Sequence, residues 1–414
     1  MRLLWLKTDL LHPVDAGSKI RTYNILRELK RRHRIVYITL EDGTGTSQAY
    51  ESAEEYCHRL IPVPHRISQK FSSAFYREVA GNALSDLPYA IQRYRSQAFA
   101  EAVRRAVTAE RIEVTVCDFL HPSINVPATL SCPTVLFQHN VEAMILRRHY
   151  ETQSHPLIRA YFRSQWRRMR KYEREACRRF DEVIAVSEDD CRAMASDYGL
   201  AQVTHIPTGV DTDYFRPAGR APRESAHLVF TGAMDWLPND DAMCFFVNDI
   251  LPIVRRAVPE VRLTIVGRNP LPRVVALPEQ DSHIVVTGRV SDVRPYMERA
   301  AVYVVPIRIG GGTRLKIYEA MAMERPVVTT SIGAEGLPVK HGEDVLVADK
   351  PEEFAASIIA LLKDQVFARQ LGLRAAEIVR SRFGWKEAAD RFTDVCQRAV
   401  SLRASRPTPL VGRA

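Results

Sequence analysis

Short apolar runs alternate with longer segments of helical periodicity along the chain. In the first helical segment, residues 19–33, Ile20, Tyr23, Leu26 and Leu29 recur at helical spacing. This alternation is typical of parallel α/β layers. The predicted strands are 3–7, 35–40, 114–117, 134–138 and 182–186, then 228–231, 262–266, 284–287, 302–305 and 326–329.

The strands form two series, and 414 residues exceed what one hydrophobic core usually supports. We therefore predict two domains, 1–205 and 206–385, joined by a turn-rich linker over 208–221. A helix at 386–402 is expected to pack back toward the N-terminal domain, followed by a disordered tail at 403–414. Residues 41–110 are mostly helix and loop, and their pattern does not resolve individual elements.

Composition excludes several classes of protein. With 46% apolar and 26% charged residues, the chain is globular, and no run reaches the ~18 apolar residues of a membrane span. The N-terminus has no signal-peptide core. Seven scattered cysteines without a Cys-x-x-Cys pair argue against a disulfide frame or a zinc site. We therefore predict a cytoplasmic protein.

Positive charge is concentrated in one segment. The formal net charge is +9, and residues 144–180 hold eleven lysines and arginines against three glutamates. This segment is either a solvated helix face or a surface that attracts phosphate. Its partner would then be an anionic membrane, a lipid-pyrophosphate acceptor or nucleic acid. No nucleic-acid-binding signature accompanies it, so nucleic acid is excluded as a partner.

The most informative segment follows the strand that ends at Pro306. Gly310, Gly311 and Gly312 precede a helix that is expected to begin near Thr313. Backbone without side chains at a helix N-terminus exposes N–H groups to an anion. The alternative is a flexible turn before an ordinary helix.

Charged residues follow these glycines at informative spacings. Arg314 and Lys316, just inside the predicted helix, would supply positive charge to a diphosphate. Glu319, one to two turns further on, would accept hydrogen bonds from vicinal hydroxyls such as those of a ribose. The combination favours a binding site over a plain turn.

The segment from Pro306 to Glu319 resembles the donor-site signature of the retaining GT-B glycosyltransferases, specifically bacterial glycosyltransferase family 4. Gly232, in the turn after strand 228–231, resembles the family's first donor-domain glycine turn. Further similar motifs are Leu263-Thr-Ile-Val-Gly-Arg-Asn-Pro, Thr287-Gly-Arg-Val-Ser-Asp-Val, Gly333-Ala-Glu-Gly-Leu, His139-Asn-Val-Glu and Val186-Ser-Glu-Asp-Asp.

The resemblance implies a GT-B fold of two Rossmann-like domains whose parallel sheets face each other across a cleft. The C-terminal half would bind a UDP- or GDP-sugar, and the N-terminal half a glycan or lipid-linked acceptor. No metal is expected. The implied setting is polysaccharide synthesis at the inner face of the membrane, where the basic segment would make peripheral contact.

Two positions depart from the family pattern. Glu319 matches the second glutamate of the family's Glu-x7-Glu motif, but position 311, where the first glutamate should stand, is glycine. Many relatives have an Arg/Lys pair after the first donor-domain turn, whereas this chain has Asn239. Charge neutralisation is therefore assigned to Arg314 and Lys316, with Arg268 as a weaker candidate.

On the acceptor side, His139 follows a predicted strand at the edge where α/β sheets place ligands. It either contacts the sugar or acceptor and assists a proton transfer, or is a satisfied loop residue. Glu142 is a second candidate, or an ordinary first-turn helix residue. Gly17 and Ser18 open the first helix, which the family uses near the phosphates and acceptor; the alternative is a plain turn.

Asp211 and Asp213 imitate an Asp-x-Asp metal motif, but they lie in a segment that resembles the family's interdomain turn. We therefore expect a turn there. Without an identifiable nucleophile, the resemblance implies front-face transfer with retention. A GT-B epimerase and a non-catalytic nucleotide-binding protein remain as alternatives. A nicotinamide dehydrogenase is rejected, because no Gly-x-Gly-x-x-Gly follows the first strand.

Overall fold

The computed structural model describes residues 1–14, 17–43, 45–69, 72–153, 155–219, 223–309 and 314–405. The chain forms two compact units. The N-terminal unit comprises residues 1–207 together with the chain from Trp385 onward, and the C-terminal unit is Thr208–Gly384. The predicted boundaries were 205/206 and 385/386. Each unit contains one parallel sheet, in agreement with the predicted α/β class.

The N-terminal unit has a seven-stranded sheet in the order β3-β2-β1-β4-β5-β6-β7, and every neighbouring pair is parallel. Its strands are β1 (Arg2–Lys7), β2 (Arg34–Glu41), β3 (Arg59–Pro64), β4 (Val114–Asp118), β5 (Thr134–Phe137), β6 (Glu182–Ala185) and β7 (Thr204–His205). Its helices are α1 (Gly17–Lys30), α2 (Ser47–Glu51), α3 (Ser73–Gly81), α4 (Tyr89–Gln92), α5 (Gln97–Ala109), α6 (Glu142–Thr152), α7 (Pro156–Arg179) and α8 (Glu188–Tyr198).

Both faces of this sheet are covered, which explains why its strands are continuously apolar. Leu4 and Leu6 of β1 belong to one core cluster, whereas Leu3 and Trp5 belong to the other. The C-terminal helix of the chain packs into the second cluster, where the rings of Phe392 and Trp5 lie 5.1 Å apart. This helix spans Trp385–Ser405, so residues 403–405 are helical rather than part of the predicted tail, and residues 406–414 lie outside the described range.

The C-terminal unit has a six-stranded parallel sheet in the order β10-β9-β8-β11-β12-β13. Its strands are β8 (His227–Thr231), β9 (Arg262–Val266), β10 (Ile284–Val286), β11 (Val302–Val305), β12 (Val327–Thr329) and β13 (Leu346–Val347). Its helices are α9 (Leu237–Phe245), α10 (Leu251–Ala257), α11 (Pro272–Val275), α12 (Leu277–Gln280), α13 (Arg294–Arg299), α14 (Leu315–Ala322), α15 (Pro351–Lys363) and α16 (Gln365–Arg382), and a π-helical turn, Phe246–Ile250, joins α9 to α10. The C-terminal helix of the chain is therefore α17.

Strand order reverses once in each sheet, between β1 and β4 and between β8 and β11. In open parallel α/β sheets, ligands bind outside the carboxyl ends of the strands at this reversal point. The residues that follow β1, β4, β8 and β11 are therefore the candidate ligand-binding positions of the two units.

Candidate functional site

In the C-terminal unit, glycines follow the strands beside the reversal point. Gly232 comes directly after β8, and Gly267 directly after β9. A Cβ atom on Gly267 would lie 1.7 Å from the carbonyl oxygen of Gly232, so only glycine fits there. This close backbone packing holds the β8 turn against β9, with the Gly232 N–H donating to the Val266 carbonyl at 2.9 Å.

Lys316, in the first turn of α14, extends toward the same turn. Its Nζ donates a hydrogen bond to Oδ1 of Asn239 at 2.8 Å and lies 4.0 Å from the ring centre of Phe230. A Cβ atom on Gly232 would come within 2.6 Å of this Nζ. Burial lowers the pKa of Lys316 to about 7, and Arg314 contributes to the decrease, while Glu319 opposes it. The Lys316 amine is thus desolvated and lies beside backbone that carries no side chain, and it is charged only partly at neutral pH.

Glu319 lies one turn further along α14 and is partly exposed. Burial raises its pKa to about 7, and Lys316 opposes the increase. Among the described residues, none donates a hydrogen bond to its carboxylate. Its oxygens are therefore available to hydroxyl groups of a ligand that also reaches Lys316.

Asn239 explains one departure from the family pattern. It is buried, its Nδ2 donates to the Ala233 carbonyl at 2.8 Å, and its Oδ1 accepts from Lys316. Many relatives have a basic residue at this position. In this chain Asn239 instead holds Lys316, which lies on another helix, through a hydrogen bond. The sequence prediction that charge neutralisation shifts toward Lys316 is compatible with this contact.

Three other predicted donor-site elements have different outcomes. Arg314 precedes α14 instead of lying inside it, because the helix begins at Leu315 and not near Thr313; the Arg314 side chain is buried, with its guanidinium 5.3 Å from the ring centre of Trp236. Arg268 follows Gly267 and is partly exposed, and its carbonyl accepts from the N–H of Met234 at 2.9 Å. The predicted residues Gly310, Gly311, Gly312 and Thr313 lie outside the described residues.

In the N-terminal unit, a buried charged cluster occupies the corresponding reversal point. Lys7 ends β1 and Asp118 ends β4, and the Lys7 ammonium lies 3.1 Å from Oδ2 of Asp118. The same oxygen accepts from Oγ1 of Thr22 at 2.6 Å and from Nε1 of Trp5 at 2.9 Å. Burial alone would raise the pKa of Asp118, but Lys7 and His139 outweigh burial and hold that pKa well below its usual range.

His139 is part of this cluster. Its Nε2 lies 2.7 Å from Oδ1 of Asp118, and its Nδ1 lies 3.0 Å from Nη1 of Arg21. Because a guanidinium only donates, Nδ1 is the acceptor and Nε2 carries the proton. Burial lowers the pKa of His139 to about 3, with Arg21 and Lys7 adding to the decrease against the opposing effect of Asp118, so the ring is neutral. The ring stacks on Phe119 with centres 4.0 Å apart.

The sequence placed His139 correctly at the edge of the sheet, but not its partners. Both ring nitrogens are occupied and only 2% of the residue is exposed, so in this arrangement it has no nitrogen available to a sugar. Lys7, Arg21, Thr22 and Asp118 were not predicted. The available signal was a charged residue directly ending each of two mostly apolar strands, which is unusual for buried strands.

Glu142, Gly17 and Ser18 lie at helix starts. Glu142 is the first residue of α6 and partly exposed, and burial raises its pKa to about 7. The start of α6 is held by Glu173, whose carboxylate accepts from the N–H groups of Glu142 and Ala143 at 3.0 and 2.9 Å. Gly17 and Ser18 begin α1, and the Ser18 carbonyl oxygen lies 3.1 Å from Oγ1 of Thr22.

Asp211 forms a local turn: its Oδ1 accepts from the backbone N–H groups of Asp213 and Tyr214 at 3.2 and 2.9 Å. These bonds are those of an Asx turn, as the sequence predicted. Among the described helices, none is long and apolar enough to cross a membrane.

Two family models match the chain. The model described as "Glycosyltransferase Family 4" matches residues 16–214, and the model described as "Glycosyl transferases group 1" matches residues 225–364. Together they cover most of both units, including the residues described around Gly232 and around Asp118 except Trp5 and Lys7.

Curated relatives are consistent with these matches. A 44.6 kDa protein in the cps region of Klebsiella pneumoniae is 20% identical over 93% of this chain and 97% of its own length. A GDP-mannose-dependent alpha-(1-6)-phosphatidylinositol monomannoside mannosyltransferase of Mycobacterium tuberculosis is 27% identical over 52% of this chain. That match spans 61% of the mycobacterial protein, less than two thirds of its length.

Solved structures show the same fold. Sucrose-phosphate synthase from Thermosynechococcus elongatus matches with a TM-score of 0.71 at 15% identity, covering 97% of this chain and all of the other. Anabaena HepE, solved with UDP and glucose, matches with a TM-score of 0.63 at 15% identity, covering 96% of this chain and all of HepE. At this identity the likeness concerns the fold, and it confirms the predicted GT-B architecture.

Proposed function

The chain belongs to the group 1 glycosyltransferases of family 4, and from this premise we propose that it transfers a sugar from UDP- or GDP-sugar to a glycan or lipid-linked acceptor with retention of configuration. The single observation that carries the proposal is the placement of Lys316 and Glu319. The desolvated Lys316 amine lies beside Gly232, and a turn away lies the Glu319 carboxylate, which accepts no hydrogen bond from a described residue. This pair of groups suits the phosphates and the ribose hydroxyls of a nucleoside diphosphate.

The reaction needs stabilisation of a leaving diphosphate more than it needs a nucleophile. The bond between the anomeric carbon and the phosphate oxygen breaks, and the acceptor hydroxyl oxygen bonds to the same face of that carbon. The hydroxyl proton passes to the departing phosphate oxygen. Lys316 and Arg314 stabilise the negative charge that develops on the nucleotide, which is the largest contribution a protein makes to such a step.

Related proteins support a nucleotide-sugar donor of either base. The M. tuberculosis relative is named for GDP-mannose, and HepE was solved with UDP. The relative from the K. pneumoniae cps region supports a role in cell-surface polysaccharide synthesis. The described part of the chain contains no contact that selects one base over the other.

The basic segment supports a membrane-bound acceptor. On α7, Arg159, Arg163, Arg167, Arg170 and Arg174 are all exposed and follow one another at intervals of three or four residues, so they share one face. This arginine stripe extends over about 22 Å at 1.5 Å per residue. A groove of about 720 Å³ runs along it and is lined by its first three arginines and by Tyr150.

Two exposed apolar side chains precede the arginine stripe along the chain. Leu157 and Ile158, in the first turn of α7, are 76% and 44% exposed. Exposed apolar residues beside a row of arginines suit the interface of an anionic bilayer. We therefore include peripheral contact with an anionic membrane in the proposal, with the acceptor presented at that surface.

The test is transfer by the purified protein. UDP- and GDP-sugars are incubated with membrane-extracted glycolipid, nucleotide release is measured, and the product's anomeric configuration is read by proton NMR. Retention is expected; inversion or the absence of transfer with every donor would contradict the proposal. Arg314→Ala should lower turnover by about 10²-fold, as for the loss of one strong electrostatic donor. Arg374→Ala, at an exposed arginine of α16, is the control and should be neutral.

A further inference from the structure

Arg21 is a buried cation whose hydrogen-bonding capacity is largely unused. It lies in α1, and 6% of the residue is exposed. Among the described residues, its hydrogen bond is the one from Nη1 to His139, and its Nε is buried without a partner. A guanidinium carries five N–H donors in a rigid fork. Buried donors left unpaired are costly, so this arrangement needs an explanation.

The negative charges around Arg21 are engaged elsewhere. Asp118 attracts Arg21, but both oxygens of that carboxylate already accept hydrogen bonds. Its Oδ2 accepts from Lys7 and Thr22, and its Oδ1 accepts from His139. Asp190 also attracts Arg21, and no described carboxylate forms an ion pair with it. Burial lowers the pKa of Arg21 to about 10 against the attraction of both carboxylates.

The surroundings of Arg21 hold it in one orientation. Asp118 accepts the Nε2 proton of His139, which leaves Nδ1 as an acceptor aimed at Arg21. A fixed acceptor at 3.0 Å orients the planar guanidinium without neutralising its charge. Arg21 lies one turn after the start of α1 at Gly17, and the first N–H groups of a helix have no partner within the helix.

We propose that Arg21 is a phosphate-binding residue at the carboxyl edge of the N-terminal sheet, and that His139, fixed by Asp118, is a positioning residue that acts through it. Arg21 presents its fork to a phosphate oxygen next to the N-terminus of α1, where the helix dipole also favours an anion. The inference rests on the proposed function for its biological substrate: the phosphate is that of the nucleotide sugar or that of a phosphorylated acceptor.

Phosphate binding tests the proposal without requiring the acceptor. Binding of UDP and GDP to the full chain is measured by calorimetry, and inorganic pyrophosphate is then titrated into the nucleotide-saturated protein. Arg21→Gln should weaken one of these interactions by about ten- to a hundredfold, as for the loss of a charge-assisted bidentate contact. Loss of nucleotide affinity identifies the donor phosphate; loss of pyrophosphate affinity alone identifies an acceptor phosphate.

Controls separate this role from a structural one. Arg27→Gln removes an exposed arginine of the same helix and should leave both affinities unchanged. His139→Asn keeps the charge of Arg21 but not the orientation of its guanidinium. The affinity for the phosphate ligand should therefore fall, while the salt dependence of that affinity stays as in the wild type. Arg21→Gln should lower both the affinity and its salt dependence. A fall in salt dependence with His139→Asn would contradict its assignment as a positioning residue.

A direct measurement avoids dependence on a variant that fails to fold. Crystals of the wild-type protein are soaked in tungstate, a phosphate-like anion visible in anomalous maps. Density within hydrogen-bonding distance of the Arg21 guanidinium is expected. An empty site in the soak, or wild-type affinities in a folded Arg21→Gln protein, would overturn the inference. If transfer activity failed while the anion bound here, the proposed function would fall and this site would remain.

Discussion

Replacing Lys316 by methionine removes the ammonium while keeping the length of the side chain. In the free protein, Nζ donates to Asn239 and lies over Phe230, beside the Gly232 turn where the diphosphate is proposed to bind. Methionine retains the packing against the ring and cannot neutralise phosphate. The substitution therefore isolates the contribution of one charge to donor binding.

The magnitude follows from two opposing effects. An ammonium about 4 Å from a phosphate oxygen gains about 4 kcal/mol at an effective dielectric constant of about 20. Because the pKa of Lys316 is about 7, charging it at pH 8 costs about 1.4 kcal/mol, the equivalent of one pH unit. The difference, about 2 to 3 kcal/mol, corresponds to a loss of roughly a hundredfold in affinity for UDP or GDP.

Calorimetry at pH 8 compares the nucleoside diphosphate with the free nucleoside. Lys316→Met should lose affinity for the diphosphate and leave any binding of the nucleoside unchanged. The matched control is Lys340→Met, since Lys340 belongs to the same unit and its side chain is 74% exposed. A folded Lys316→Met protein that binds the diphosphate as tightly as the wild type would refute the assigned role.

Three further predictions concern the protonation of Lys316, the packing at Gly267 and the arginine stripe. Above pH 7, diphosphate binding should take up about one proton, because the complex stabilises the charged form of Lys316 and raises a pKa that is about 7 in the free protein. The affinity for the diphosphate should therefore be greatest below that pKa and decline as pH rises above it. Calorimetry in buffers of different ionisation enthalpy measures the proton uptake, and it will detect none if the assignment is wrong. Gly267→Ala should lower the free energy of unfolding by about 1 to 3 kcal/mol, because the added carbon overpacks against the Gly232 carbonyl. The control is Gly384→Ala, which has nothing within 4 Å of the added carbon and should change the free energy of unfolding little. Equal denaturation midpoints for the two variants would contradict the proposed packing. The double variant Arg163→Gln/Arg167→Gln should bind vesicles containing anionic lipid about thirtyfold more weakly than the wild type, at about 1 kcal/mol per lost charge. The double variant Arg104→Gln/Arg105→Gln on α5 is the control. Equal co-sedimentation of both variants with the vesicles would contradict membrane contact through the arginine stripe.

The sequence pattern located the strands that build both sheets but missed short or atypical ones. Strand β3 contains Pro62 and Pro64, which demote a strand on sequence grounds. It lies at the edge of its sheet, where proline is tolerated because one side needs no ladder hydrogen bonds. Strands β7 and β13 have two residues each, too few to produce a periodic signal.

The candidate sites were predicted to the extent that their residues are close in sequence. Lys316 and Glu319 share one helical turn, so their spacing was informative. The Lys7, Asp118 and His139 cluster joins residues over 100 positions apart, and only the pairing of β1 with β4 and of β4 with β5 brings them together. Pattern alone identified His139 as a residue at a strand end. Its neutral state and fixed tautomer depend on partners that tertiary packing supplies.

The most direct test of the proposed donor site is a crystal structure of the full chain with a non-hydrolysable nucleotide sugar. The diphosphate is expected beside the Gly232 turn within reach of the Lys316 ammonium, and the ribose hydroxyls on the Glu319 carboxylate. A nucleotide bound elsewhere, or bound there without contact to Lys316 and Glu319, would contradict it.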